Sequence, residues 1–282
     1  MKRVVLLVTL FAIMSLVLGA QEHVPEAEDY QNFMKSKTLV LLEKNPMSDF
    51  NMAIRKVMEN SWTLTDYQFI NDAEFEAYRN NPSYSFLMIT KASFERDRTK
   101  ARYNFMSLLM AERAAKVRNM PDLCSLPLAY EQVEDDSYSY KIEAFIRFMQ
   151  NHVQLMLNDP SLINSNPFNY YNKNKKDDLE NKVLFLTKEE LASEIDTEAE
   201  IRDIYPHQFK IVSRDEVAQA IADKREDVVF LHKVGPEKTR IRARVYKMLV
   251  GAGDPHFYYF DYEMMKKAQD DAFQEKDLKK IR

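Results

Sequence analysis

One order of apolar runs occurs twice in this chain, and that repetition constrains its fold more than any single motif does. Thr38-Leu-Val-Leu-Leu42 and Lys182-Val-Leu-Phe-Leu186 each read as a short buried strand. Tyr67-Gln-Phe-Ile70 and Phe209-Lys-Ile-Val212 supply the second strand, and Tyr84 to Thr90 and Asp227 to His232 the third. Leu42 matches Leu186 at an offset of 144, Ile70 matches Val212 at 142, and Phe86-Leu87 matches Phe230-Leu231 at 144. A near-constant offset over three strands points to tandem duplication. A period near 140 residues is too long for a solenoid, which leaves two domains or two fused halves.

Helices fall between the strands. Phe50 to Asn60 places Phe50, Ile54, Val57 and Met58 on one helical face, while Thr197 to Tyr205 ends before Pro206. Asn71 with Glu74, and Ser213 with Glu216, are capping pairs three residues apart; they open helices running to about Arg79 and Lys224. Glu95-Arg-Asp-Arg-Thr-Lys-Ala-Arg-Tyr-Asn-Phe-Met106 aligns with Glu237-Lys-Thr-Arg-Ile-Arg-Ala-Arg-Val-Tyr-Lys-Met248 at an offset of 142, with five identities in twelve pairs. A further strand (Leu123 to Tyr130; Phe257 to Tyr262) and a closing helix (Tyr138 to Asn158; Glu263 to about Ile281) complete each copy. The expected fold is therefore α/β: a β-α-β-α-β-β-β-α unit, twice, with helices packed on a mixed sheet. The boundaries are a leader at 1–20, a polar stretch at 21–36, a first repeat at 37–158, an Asn-rich linker at 159–181 and a second repeat at 182–282. The element order is similar to that of small α/β modules of bacterial envelope proteins, a likeness of topology that no motif carries.

Met1-Lys-Arg3, an apolar run from Val4 to Leu18, and Gly19-Ala20 form the three parts of a secretory signal peptide, cleaved after Gly19 or Ala20. The run is shorter than the roughly 20 residues a membrane-spanning helix needs, and no later stretch is long and apolar enough. No Cys follows the small residues, so a lipoprotein anchor is not expected. Cleavage leaves 38 basic against 44 acidic residues, a net charge of −6. That balance argues against nucleic acid as a partner. The expected location is a periplasm or the extracellular medium.

The most specific candidate for a site is the repeated basic segment. Arg96, Arg98, Lys100 and Arg102 alternate in the first copy; Lys238, Arg240, Arg242 and Arg244 alternate in the second. On a strand, period two would place each quartet on one face. Arg98, Lys100, Arg102, Arg240, Arg242 and Arg244 then form a stripe for an anionic ligand, whether acidic glycan, lipid head group or acidic partner segment. The competing expectation is a solvated face whose charges pair with neighbouring acids.

Other chemistry has thin support. The five histidines show no metal-ligand spacing, and Cys124 sits among apolar residues as a small hydrophobe. His207 and His256 read as turn residues and His232 as a partly buried one. Glu134-Asp-Asp136 reads as helix-start and solvating acids rather than an acid/base pair. Phe257-Tyr-Tyr-Phe-Asp-Tyr262 is either core or a stacking platform belonging to the second copy only. Four glycines leave little for phosphate-cradling loops; Gly251-Ala-Gly253 is the one turn that offers a phosphate nest. No cofactor is expected. The sequence thus predicts an exported, non-enzymatic binding or scaffolding protein of the bacterial envelope. Its alternatives are an anionic-ligand module and a hydrolase with a dispersed site.

Overall fold

The computed structural model describes residues 24–94, 100–113, 116–164, 166, 168–174, 176–237 and 242–282. The first unit runs β1 (Lys37–Leu41), α2 (Asp49–Ser61), β2 (Tyr67–Ile70), α3 (Asp72–Tyr78), β3 (Tyr84–Ala92), β4 (Tyr103–Met110), β5 (Asp122–Tyr130) and α4 (Ile142–Asn158), preceded by α1 (Ala27–Phe33). After α5 (Phe168–Asn174), the second runs β6 (Val183–Thr187), α6 (Glu198–Arg202), β7 (Phe209–Val212), α7 (Arg214–Ala222), β8 (Val228–Val234), β9 (Arg244–Gly251), β10 (Phe257–Met264) and α8 (Glu275–Ile281). The β-α-β-α-β-β-β-α unit is present twice. Each builds a five-stranded mixed sheet of the same topology, β2-β1-β3-β4-β5 and β7-β6-β8-β9-β10. Strands β1 and β6, second from one edge, pair in parallel on both sides; the last two strands of each sheet add antiparallel.

Local chemistry explains the elements. Ser48 caps α2 by accepting from Asn51 N–H, and the helix buries Phe50, Ile54, Val57 and Met58 along one face. The capping boxes of α3 (Asn71, Glu74) and α7 (Ser213, Glu216) are both formed. The second unit's closing helix is much shorter than the sequence suggests. Residues 257–264 continue the ladder against β9, Ala268–Asp270 forms one 3-10 turn, Phe273 bridges to Leu191, and only Glu275–Ile281 is α-helical. Polar residues 24–36 include α1, which buries Tyr30 and Phe33; Tyr30 Oη donates to Leu123 O.

The ladders define which residues are equivalent. Lys37 N–H bonds Ser83 O as Val183 N–H bonds Asp227 O, giving offsets of 146 in the first strand and 144 in the third. Ala111 N–H bonds Tyr84 O as Ala252 N–H bonds Val228 O, which fixes the fourth strand at 141. The alignment of the basic segments at 142 is therefore one residue out of step with the strands that follow them. Met106 and Met248, identical in sequence, hold non-equivalent positions.

Three clusters form the interior. A large one takes Val40, Leu87 and Leu108 from the first sheet, Phe230, Met248 and Val250 from the second, and the buried faces of α2, α4 and α7 between them. A second lies on the far side of the second sheet under α6 and α8, and a third on the far side of the first sheet with Phe75 of α3. Since α2 corresponds to α6, and α3 to α7, opposite faces of the two sheets turn inward. The halves are stacked head to tail. α5 covers the edge of β10, where the Asn172 side chain donates to Phe260 O and accepts from Phe260 N–H, both at 2.8 Å.

Candidate functional site

The connections from β3 to β4 and from β8 to β9 carry the two basic segments, and head-to-tail stacking brings them to one end of the molecule. Ala101 and Ala243 are both buried in the shared core at the roots of these connections. Tyr103 Oη accepts from Arg244 N–H at 2.5 Å and donates to Arg244 O at 3.0 Å. Phe94, at the exit of β3, lies under the Arg244 guanidinium, whose carbon is 3.6 Å from the ring centroid. Two loops far apart in sequence are thus stapled together by an aromatic–arginine contact.

The described basic residues do not form a strand face. Lys100 has φ 52°, a left-handed conformation that interrupts extended backbone, and strand pairing starts only at Tyr103 and Arg244. Lys100 and Arg242 are exposed in the loops. Arg102 has a side chain 66% exposed and lies 3.7 Å from Glu131, which Lys91 also contacts at 2.9 Å. Arg244 opens β9. Arg98 and Arg240, also expected in the stripe, lie outside the described residues. Over residues 95–102 and 237–244 the sequence holds eight basic and three acidic side chains, a local net charge of +5 in a chain of −4.

The aromatic run beside these loops divides in two. Phe257, Tyr258 and Tyr259 are buried, and Phe260 stacks on Phe168 at 4.2 Å. Tyr262 differs: it is 50% exposed and its ring centroid is 5.0 Å from the Arg244 guanidinium carbon. Most of the run is core, and one ring faces out at the basic end. Sequence pattern alone missed Phe94 and could not single out Tyr262. The only available signal was the position of each beside an arginine-rich segment.

A second polar cluster sits at the carboxyl ends of β6 and β8, where the strand order reverses and α/β sheets commonly bind ligands. Here the chain fills the place itself. Lys141 Nζ, wholly buried, meets Glu190 Oε1 at 3.0 Å and Leu231 O at 3.1 Å. Thr187 Oγ1 donates to Glu190 Oε2 at 2.7 Å, and Lys233 Nζ pairs with Asp271 at 2.7 Å. Burial pushes the Lys141 ammonium below its usual value, opposed by Glu190; burial and then Lys141 push His232 well down. Alongside, Lys247 Nζ contacts both Asp277 and Glu263 at 2.5 Å. These ion pairs hold elements together, while His232 Nε2 and Asp271 Oδ2 are buried without a hydrogen-bond partner among the described residues. At the matching place in the first unit, burial raises the Glu43 carboxyl, with Asp135 adding to the effect. Asp135 accepts from Tyr138 Oη at 2.6 Å and Asp136 lies 3.5 Å from Arg214, so these acids also have structural partners.

The glycine turn is not an anion nest. Its carbonyls face inward: Arg147 donates to Ala252 O at 2.6 Å and Gly253 O at 3.0 Å, while Gly251 and Ala252 N–H groups are taken by His256 O and Val228 O. A Cβ on Gly253 would lie 2.3 Å from Lys224 O, so close packing is what requires glycine there. Among the described residues, no three His, Cys, Asp or Glu side chains converge as a metal site, and no helix is long and apolar enough to cross a membrane. Compared with models of protein families, with curated proteins and with solved structures, the chain matches none of them.

Proposed function

We propose that this chain is an exported, non-enzymatic binding protein of the bacterial cell envelope, whose paired basic loops hold an anionic ligand. One observation carries the reading: two basic segments 142 residues apart in sequence are brought to the same end of the fold. Charges gathered at one end add their fields at short range, and an anion spanning both loops meets several cations at once. The alternative expectation, that acids neutralise these cations, holds in part for Arg102 through Glu131. Lys100 and Arg242 remain exposed to solvent. The leader at residues 1–20 supports export and predicts a mature chain beginning at Ala20 or Gln21.

The test is retention on an anionic matrix as a function of salt. The triple change Lys100→Gln, Arg102→Gln and Arg242→Gln should lower the eluting salt concentration markedly, because these residues are exposed and, among the described residues, Glu131 beside Arg102 is the one acid paired with them. Arg244 is left intact for its packing on Phe94. Elution at the same salt as the unmodified protein would sink the reading.

A further inference from the structure

We infer that the ligand at this end is an acidic carbohydrate, with a sugar ring stacked on Tyr262 and its anionic groups held by Lys100, Arg102 and Arg242; this rests on the anion-binding reading above. Tyr262 is half exposed, yet its ring is held by Tyr246, whose ring centroid lies 5.7 Å away, and by the Arg244 guanidinium, which lies over it at 5.0 Å and is itself seated on Phe94, so a ligand ring stacks on the exposed part that these two leave open. Met264, two residues along on the same face, is 39% exposed. Among the described residues only five large apolar side chains are exposed, and these two stand together beside the basic loops. A flat ring next to an apolar shoulder and exposed cations matches a molecule having a C–H face and ionised substituents.

Other anions fit less well. An acidic peptide would dock most readily by adding a strand to the edge of β10. That edge is blocked: the Asn172 amide occupies both main-chain groups of Phe260, and Asp261 takes Tyr262 N–H at 2.8 Å. A lipid surface would call for a broader apolar patch than Tyr262 and Met264 provide. A single-stranded nucleic acid would stack on several successive aromatic rings along a basic groove, and among the described residues one exposed ring, Tyr262, is presented here.

The test compares four probes on the full-length mature protein: polygalacturonate, poly-L-glutamate, neutral dextran and a thymidine oligonucleotide. Polygalacturonate and poly-L-glutamate share the carboxylate and differ in the ring. The inference expects polygalacturonate to bind more tightly than poly-L-glutamate, Tyr262→Ala to weaken it roughly fivefold, and Tyr262→Trp to preserve it. Tyr262→Ala should leave poly-L-glutamate unchanged, and dextran should not bind. Equal binding of the two polyanions, with Tyr262→Ala affecting neither, would overturn the ring contact while leaving the anion reading intact. Tighter binding of poly-L-glutamate or of the oligonucleotide would also overturn it. Failure of all four probes to bind would remove both readings. A circular dichroism spectrum of Tyr262→Ala matching the unmodified protein secures the comparison, since a half-exposed ring at a strand edge contributes little to the core.

Discussion

His152 lies on the buried side of α4, and its Nδ1 is 2.9 Å from Tyr171 Oη. Tyr171 comes from α5, so a residue in the Asn-rich segment between the halves anchors that segment to the core. Burial lowers the imidazole from its ordinary value to about 4. In the unfolded chain the same ring titrates near 6.5, so between these values the unfolded state binds the proton first. The stabilising contribution is complete above pH 6.5 and is lost as pH falls through 4, a swing of about 3 kcal/mol. His232 acts in the same direction. Replacing His152 by Gln keeps a hydrogen-bonding group for Tyr171 and removes the titration. Urea midpoints at pH 7 and pH 4 should therefore fall less for His152→Gln than for the unmodified protein. Parallel loss in both would refute the assignment, because the carboxylates common to the two chains would then account for all of it.

At the level of elements, α4 joins the units. Its Arg147 reaches across to three carbonyls, Ile221 at the end of α7 and Ala252 and Gly253 in the β9–β10 turn. Arg147→Met should cost about 3 kcal/mol, since an apolar chain leaves buried carbonyls unpaired, and Arg147→Lys should recover only part of that. A loss below 1 kcal/mol on chemical denaturation would show that water replaces the guanidinium. The same elements show what the sequence made legible. Capping pairs at Asn71 and Ser213 and the apolar spacing of Phe50, Ile54, Val57 and Met58 marked helices because those signals are local. Alternating charge at Arg96 to Arg102 looked like a strand, yet period-two charge does not require a ladder, and Lys100 turns the chain before pairing begins. Glu263 to Ile281 is rich in helix formers, and pairing with β9 overrides that preference through Met264. The acidic partners of Lys141, Lys233 and Lys247 lie 16 to 49 residues away, beyond the reach of any spacing rule.

The whole molecule turns on how two equivalent units are joined. A head-to-tail stack of like units presents, at its two ends, the same pair of faces that meet in the middle, and such stacks propagate when those end faces are apolar. Here they are closed: α3 covers one and α6 with α8 the other, and the exposed large apolar side chains lie elsewhere. The inner faces have no such cover. Phe230, Met248, Val250 and Phe257 of the second sheet pack in the same cluster as Phe145 and Phe148 of α4, and Glu190 finds its buried cation in Lys141 of the first unit. Separating the halves would bare that apolar surface and leave a buried carboxylate without its partner, each costing several kcal/mol. The duplicated topology therefore describes ancestry of form, and cooperativity follows the shared core. The intact chain should unfold in one transition with equal calorimetric and van't Hoff enthalpies. Residues 182–282 expressed alone should lack the near-ultraviolet circular dichroism of packed aromatics and bind a hydrophobic dye. Two separated transitions in the whole chain, or a fragment with native-like packing, would show that each sheet owns its core and that α4 merely tethers them.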